Sequence, residues 1–267
     1  MGSLPSSDKP RTPPAHGSAW LAIAAIFIVN GVTLGSWISR IPSITERLDL
    51  SPGQVGIALM AIAAGALVAF PLTDQLVDTR SSTTTVLLFG VIMVVALPIV
   101  GTAPHLLLLI LALFVFGFGN GGMDVSMNAQ GIEVERFSGR SIINSLHGCF
   151  SLGAFAGAAI GAGAAVLGLA PLVHFLTISA LGLVVLWWVR RWLIPDTKDP
   201  RKSVPAAAIA LPPRSLWLLG AAALCTSVGE GAMADWSGLY LREVLHTSSG
   251  FAALGYATFS VAMLAGR

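Results

Sequence analysis

The chain has 267 residues; 10% of them are charged, 55% are hydrophobic, and the formal net charge is +2. A soluble globular domain usually carries about 25% charged residues, so this chain has too few polar side chains to cover a surface in water. The small net charge offers no electrostatic basis for nucleic-acid binding. The composition therefore excludes an ordinary soluble domain and a nucleic-acid-binding protein, and makes the lipid bilayer the expected surroundings.

Residues 1–18 are rich in Pro, Ser and Gly and contain no apolar run, which predicts a disordered tail. The next run is too long for the core of a secretory signal and lacks a small-residue cleavage site, so it predicts a first membrane helix. In all, eight apolar segments of roughly 17–25 residues follow, the length that crosses a hydrocarbon core. They occupy residues 19–37, 53–72, 84–102, 105–127, 142–167, 171–192, 216–236 and 251–266.

Each segment is predicted to be an α-helix, because lipid offers no hydrogen-bond partners to an exposed backbone. The fold class is therefore an all-α integral membrane protein. A polar, proline-rich linker (193–214) separates six helices from the last two. This division predicts a six-helix N-terminal bundle (19–192) and the first two helices of a C-terminal bundle (215–267).

An internal repeat supports two bundles. Trp37 pairs with Trp236 at an offset of 199 residues, and Gly53 pairs with Gly250 at an offset of 197. Both copies cross the membrane in the same sense, as in parallel repeats related by an axis along the membrane normal. Two such units predict a protein of about 400 residues. We therefore expect the chain to be a truncated product.

The basic residues predict the orientation. With the N-terminus in the cytoplasm, 12 of the 15 basic residues lie inside and only Arg40, Arg47 and Arg242 lie outside. The positive-inside rule favours this placement, in the cell (inner or plasma) membrane. The seven tryptophans lie near predicted helix ends, as an aromatic belt requires.

Small residues predict close helix packing. Gly153, Gly157 and Gly161 recur every four residues and give one helix a flat face. Cys149 and Cys225 lie in apolar runs without metal-ligand spacing, so we interpret them as small residues in helix contacts.

Four stretches carry a family resemblance: "NGVTLGSWISRIP" (30–42), "GFGNGGMDVSMNAQGIEVER" (117–136), "SLHGCFSLGAFAGA" (145–158) and "EGAMADWSGLYLREVL" (230–245). The sequence resembles the major facilitator superfamily, and more closely its rhizopine-transporter-like branch, related to fucose and sugar permeases. The resemblance implies a twelve-helix transporter with two six-helix halves that rock around a central cavity. Helices one, four, seven and ten would line that cavity, and helices nine to twelve are absent from this chain.

Two family signatures are weak. The loop after helix two keeps Asp74, Asp78 and Arg80 but has threonines where the resemblance implies basic residues. Helix five lacks the Gly-Pro pair of antiporters.

Ionisable groups inside a bilayer are costly, so each needs an explanation. Asn120, Asp124 and Asn128 recur every four residues and share one helix face. The functional interpretation is a stripe that binds a polar solute, with Asp124 taking up a coupling proton. The structural alternative pairs Asp124 with Arg136 or Arg140.

Glu230 in helix seven is a second candidate for proton coupling and solute binding, or else a residue that holds the two halves together. Asp235 is expected to be structural. Asn30 offers two donors and an acceptor, which suit a sugar or polyol hydroxyl or a contact between helices. Asn144 and His147 open helix five, where the histidine is a candidate ligand contact or proton relay, or a packed interfacial residue.

Several other polar or aromatic residues have a structural interpretation. Glu133, Glu135 and Arg136 are predicted to lie in a cytoplasmic loop. Trp37 and Trp236 are candidates for stacking on a sugar, with anchoring at the membrane interface as the alternative.

The sequence has no phosphate-cradling loop, HExxH pair or nucleophile elbow, so we predict neither an enzyme nor a cofactor. The leading hypothesis is secondary active transport of a small polar organic solute such as a sugar or polyol, coupled to protons and operating by alternating access, without an obligate protein partner. The alternatives are metabolite or drug efflux and a truncated, non-transporting remnant.

Overall fold

A computed structural model describes residues 16–195 and 213–266. The described residues form eight α-helices and no strand, in agreement with the predicted fold class. The helices are α1 (His16–Leu48), α2 (Pro52–Thr79), α3 (Ser82–Thr102), α4 (Leu106–Ser138), α5 (Ile143–Val166), α6 (Pro171–Val189), α7 (Trp217–Leu239) and α8 (Ser249–Gly266). Most of the predicted tail and linker lies outside the described residues.

Seven of these helices are long and apolar enough to cross a membrane, and α8 has a shorter apolar part, Ser249–Met263. Every predicted segment coincides with a helix, but several helices are longer than predicted. Helix α1 has 33 residues and a length of about 50 Å. It begins at His16, so residues 16–18 are helical and the predicted boundary of the tail is wrong there. Helix α2 extends to Thr79, so Asp74 and Asp78 are helical as well.

The prediction that Glu133, Glu135 and Arg136 lie in a loop is wrong. All three belong to the last turns of α4, which ends at Ser138 and is capped by Gly139 with a left-handed φ of 66°. Arg136 Nη1 donates to Glu133 Oε1 at 3.1 Å, a pairing three residues apart that favours the helix. Glu135 Oε2 accepts hydrogen bonds from the first backbone N–H groups of α5, at 2.7 and 3.2 Å. Their charges therefore stabilise helix ends.

Helices α1 and α5 pack with their backbones almost in contact. A Cβ atom at Gly31 or Gly35 of α1 would overlap a backbone carbonyl of α5, and a Cβ at Gly157 would overlap the Val32 carbonyl of α1. The predicted glycine face of α5 is thus confirmed, with Gly153 and Gly157 against α1. Small residues allow this approach, which gains van der Waals contact where lipid provides no hydrophobic drive.

Helices α2 and α4 pack in the same way. A Cβ at Gly65 would overlap the Phe114 carbonyl, and a Cβ at Gly117 would overlap the Ile62 carbonyl. If helices α1–α3 are exchanged with helices α4–α6, α1 takes the place of α4 and α5 takes the place of α2. The α1–α5 contact therefore corresponds to the α4–α2 contact. This is the relation that three-plus-three repeats within a six-helix bundle produce.

Two arginines of α1 hold turns between other helices. The Arg40 guanidinium donates to the Leu169 carbonyl in the turn between α5 and α6. Arg47 donates to the Gly101 and Ala103 carbonyls at the end of α3. These bonds satisfy carbonyls that a helix end leaves without partners.

The last two helices contact the first six in two places. Helix α8 packs along α5 and also meets α1. Helix α7 meets α1 near their C-terminal ends, where Gly238 packs on Pro42 and Arg242 forms a salt bridge with Glu46. Residues 217–229 of α7 are all exposed. Within the described residues, α7 therefore leans on α1 at one end only.

We predict that Gly157→Ala destabilises the bundle, because its new methyl group would overlap the Val32 carbonyl. Overpacking of this kind costs about 1–3 kcal/mol. The measurement is the thermal unfolding midpoint of the purified protein in detergent. Gly163→Ala is the matched control in the same helix, since nothing lies within 4 Å of its Cβ position. Equal midpoints for the two variants would contradict the α1–α5 packing described above.

Candidate functional site

The candidate site begins with a hydrogen bond between two asparagines inside the bundle. Asn30 of α1 is only 2% exposed. Its side-chain nitrogen donates to Asn120 Oδ1 of α4 at 3.2 Å and lies 3.5 Å from the Met93 sulfur of α3. Both amide hydrogens of Asn30 thus have acceptors, and the pair joins three helices. The asparagines predicted separately as solute contacts are in direct contact with each other.

One turn further along α4, Asp124 is exposed on the surface of the described bundle. Asn128 Nδ2 donates to the Asp124 carbonyl oxygen at 2.9 Å and to its carboxylate at 3.3 Å. Within the predicted stripe, Asn128 therefore holds the Asp124 carboxylate, while Asn120 bonds to Asn30. The alternative pairing of Asp124 with Arg136 is wrong, because Arg136 bonds to Glu133. No described arginine, including Arg140, forms a salt bridge with Asp124.

His147 of α5 completes the group. Its ring is near enough to Asp124 for their charges to interact, and it meets the Phe27 ring edge-on at a centroid distance of 5.5 Å. Phe27 precedes Asn30 by one turn of α1, so these contacts hold α5 beside both α1 and α4. Asn144 is exposed one turn before His147. We call Asn30, Asn120, Asp124, Asn128 and His147 the polar cluster.

The polar cluster has a definite chemistry. Its amides offer neutral donors and acceptors, and its carboxylate and imidazole can each hold or release a proton. Such groups suit hydroxyl-bearing solutes. No group of three or more His, Cys, Asp or Glu residues that could hold a metal ion occurs among residues 16–195 and 213–266.

Glu230 is not joined to the polar cluster by a hydrogen bond or ion pair in the described part of the chain. It is half-buried on α7, eight residues before Gly238. Since Gly238 packs on Pro42, Glu230 lies roughly 12 Å along α7 from that contact, and Asn30 roughly 18 Å along α1. Glu230 is thus about 6 Å, roughly one helical turn, nearer to this contact than Asn30. Asp235 is also half-buried on α7.

Trp37 is neither an interface anchor nor an exposed stacking platform. It is only 3% exposed and packs against Phe116 of α4 at a centroid distance of 6.4 Å. It is buried because α1 continues past the predicted end, which places this residue inside the bundle. Trp236 is 40% exposed. Cys225 is exposed on α7, so the prediction that it fills a helix contact is wrong, whereas half-buried Cys149 packs against the core.

Sequence reasoning missed two buried polar groups. Gln130 of α4 accepts a hydrogen bond from Ser82 at 2.8 Å and donates to the Ile194 carbonyl at 3.0 Å, tying α3 and α4 to the end of α6. His174 of α6 is buried, and neither ring nitrogen has a hydrogen-bond partner among the described residues. An ionisable residue inside an apolar run was the available signal for His174.

Helices of this length and packing, around a polar cluster inside the span, define a polytopic α-helical membrane protein. A family model for the Major Facilitator Superfamily matches residues 41–267. The chain belongs to the Major Facilitator Superfamily.

Curated relatives agree with this family. The chain is 36% identical over 247 residues to an uncharacterised transporter, y4wD, of Sinorhizobium fredii, covering 92% of this chain and 65% of the relative. It is 30% identical over 243 residues to an uncharacterised MFS-type transporter of Yersinia pestis, covering 90% of this chain and 62% of the relative. It is 31% identical over 276 residues to the membrane protein MosC of Rhizobium meliloti, covering 98% and 65%. The chain thus spans just under two thirds of the length of these relatives.

The fold matches a solved transporter. The crystal structure of the nucleoside transporter NupG superposes with a TM-score of 0.64 at 12% sequence identity, covering 92% of this chain and 63% of that one. At this identity the likeness concerns the fold alone.

We predict that the salt bridge between Glu46 and Arg242 favours the contact of α7 with α1. In a Cys149→Ser, Cys225→Ser background, the pair Pro42→Cys and Gly238→Cys should form a disulfide readily, because Pro42 Cγ lies 3.2 Å from the Cβ position at Gly238. Adding Glu46→Arg or Arg242→Glu should slow this cross-linking by up to about fivefold, as expected for an exposed ion pair. The combined charge exchange should restore it.

The neighbouring acid Glu243 forms no salt bridge with any described residue, so Glu243→Gln is the control for a change of charge at this end of α7. Unchanged cross-linking in both single variants would show that the salt bridge does not hold the two helices together.

Proposed function

We propose that the chain acts in secondary active transport of a small polar organic solute, such as a sugar or polyol, coupled to protons and operating by alternating access. The polar cluster is the observation that carries this proposal. A carboxylate, an imidazole and three amides lie together on helices whose composition suits the bilayer interior. Polar and ionisable residues at such a position are costly and therefore mark a functional site.

The proposed solute class follows from the donors and acceptors available. Asparagine side chains can accept from one hydroxyl and donate to another, which suits a polyhydroxylated molecule. Asn30 and Asn120 would exchange their mutual hydrogen bond for bonds to the solute, so that no buried amide loses its partner. Asn128 and exposed Asn144 would contact more distant hydroxyls.

The proposed coupling proton would bind to Asp124. This carboxylate has an amide partner and a histidine neighbour, and none of the described arginines forms a salt bridge that would hold it permanently ionised. A carboxylate without a fixed cation can gain and lose a proton as its surroundings change. Glu230 would serve as a second proton or solute site from the opposite wall, roughly one helical turn nearer than Asn30 to the contact between Gly238 and Pro42.

The placement of α7 supports alternating access. Its contacts with α1 are confined to one end, at Gly238 and Arg242, and residues 217–229 are exposed. A helix that contacts its neighbour at one end can move away from that neighbour at the other end by a rocking motion. We further propose a cytoplasmic N-terminus in the inner or plasma membrane, based on the distribution of basic residues. The four sequence stretches above also support the proposal of the rhizopine-transporter-like branch.

Two other functions compete with solute uptake. Metabolite or drug efflux would require a cavity lined mainly by aromatic and methionine side chains, whereas the polar cluster consists of amides, a carboxylate and an imidazole, with Phe27 and Met93 beside it. A non-transporting membrane protein is the other candidate, and the uptake experiment below decides between it and a transporter.

The test is uptake of radiolabelled sugars and polyols into proteoliposomes that contain the 267-residue chain, at several external pH values. We predict that uptake of at least one solute rises as the external pH falls, because protonation accompanies inward movement. Asp124→Asn should abolish this pH dependence and lower the proton-driven rate by at least about tenfold, a loss in the range typical for removal of an acid–base group. Glu230→Gln should reduce it too.

Asp78→Asn serves as the control, because Asp78 is exposed at the end of α2. Wild-type rates and pH dependence in both Asp124→Asn and Glu230→Gln would refute the coupling assignment. No uptake by the unaltered chain above empty liposomes would instead favour the non-transporting protein.

A further inference from the structure

A second site lies at the opposite end of the bundle from the contact between Glu46 and Arg242. The start of α3 and the end of α6 enclose an open cavity of about 440 Å³, lined by Thr83, Leu87, Trp187, Arg190 and Arg191. None of these residues belongs to the polar cluster, and the transport proposal makes no use of them. The cavity therefore needs an explanation of its own.

The two arginines supply its charge. Arg190 lies over the Trp187 ring at 5.3 Å from the centroid, and Arg191 lies over the Trp192 ring at 4.3 Å. Neither guanidinium is in a salt bridge with any carboxylate of the described residues. The cation–π contact holds each guanidinium group near its ring. The N–H groups of the guanidinium remain available to donate hydrogen bonds to a ligand. Two fixed guanidinium groups with open donors recognise a phosphate.

Opposite the two arginines, the surroundings of the cavity are apolar. Leu87 and Trp187 form the cavity wall, and the neighbouring surface of α3 and α6 exposes Leu88, Val91 and Val184. Val184 is 63% exposed. A solute dissolved in water would gain little from this surface, whereas an acyl chain would lie along it. The tryptophans beside the arginines are the residues that mark the level of lipid headgroups.

We propose that this cavity binds the phosphate of an anionic phospholipid. Arg190 and Arg191 hold the phosphate, the Thr83 side of the cavity faces the rest of the headgroup, and Leu87, Leu88 and Val91 contact an acyl chain. Basic pockets between membrane helices are known to select anionic headgroups in this way. The lipid would brace the end of α6, where the chain leaves the first bundle.

The test is lipid binding to the purified full chain in detergent, followed by native mass spectrometry with phosphatidylglycerol or phosphatidylcholine. We expect phosphatidylglycerol to be retained in preference to phosphatidylcholine. Arg190→Gln with Arg191→Gln should weaken phosphatidylglycerol binding by about thirtyfold, since each basic residue near an anionic lipid contributes roughly one kcal/mol. Arg80→Gln with Arg140→Gln is the matched control, because both of these arginines are exposed and lie outside the cavity.

Two further experiments follow. One distinguishes a phospholipid from a phosphate compound without acyl chains, and the other uses a variant that keeps both arginines. Glycerol 3-phosphate, which carries the phosphate without acyl chains, should not displace the lipid at millimolar concentration. Leu87→Trp should fill the cavity and weaken lipid binding without removing charge. The proposal is overturned if the cavity and control arginine pairs lose equal affinity, if Leu87→Trp binds normally, or if glycerol 3-phosphate competes fully.

Discussion

The close approach of α1 to α5 is the constraint on which the candidate site depends. Glycines on both helices allow the backbones to touch, and no larger residue fits at Gly31, Gly35 or Gly157. This contact places Phe27 against His147, one turn of α1 from Asn30, which bonds to Asn120 of α4. If α1 and α5 stood further apart, the ring contact would be lost and α5 would no longer fix the position of Asn30 opposite α4. Packing between small residues therefore determines where polar chemistry can occur.

The three arginines that the positive-inside rule predicts outside the cytoplasm all have partners within the protein. Arg40 binds the turn between α5 and α6, Arg47 binds the end of α3, and Arg242 binds Glu46 and the Thr247 carbonyl. All three therefore have structural roles at one end of the bundle. At the other end, Arg190 and Arg191 stack on tryptophans and make no salt bridge within the described residues. The two ends thus use the same residue type differently: one for internal bonds, the other for an external anion.

Hydropathy predicted the number, order and type of the helices, because span length is set by the bilayer and not by tertiary contacts. It failed at the ends of α1 and α4, where helix continues into polar sequence. At the end of α4, Arg136 bonds to Glu133 and Glu135 caps α5, and at the end of α1, Arg47 bonds to the end of α3. Four-residue spacing correctly placed Asn120, Asp124 and Asn128 on one face. Spacing within one helix could not show that Asn30 would meet Asn120, since such contacts depend on how helices cross. It also could not show that Trp37 is buried.

The proposed function requires the exposed Asp124 of the polar cluster to face a water-filled path and not lipid. The most direct measurement is the rate at which a membrane-impermeant thiol reagent labels a cysteine at position 124 in sealed vesicles, in a Cys149→Ser, Cys225→Ser background. Leu111→Cys on the same helix is the reference, because Leu111 is an apolar residue that is 53% exposed on the bundle surface. The account predicts rapid labelling of Asp124→Cys and slow labelling of Leu111→Cys. Equal, slow labelling of both would place Asp124 against lipid and contradict the account.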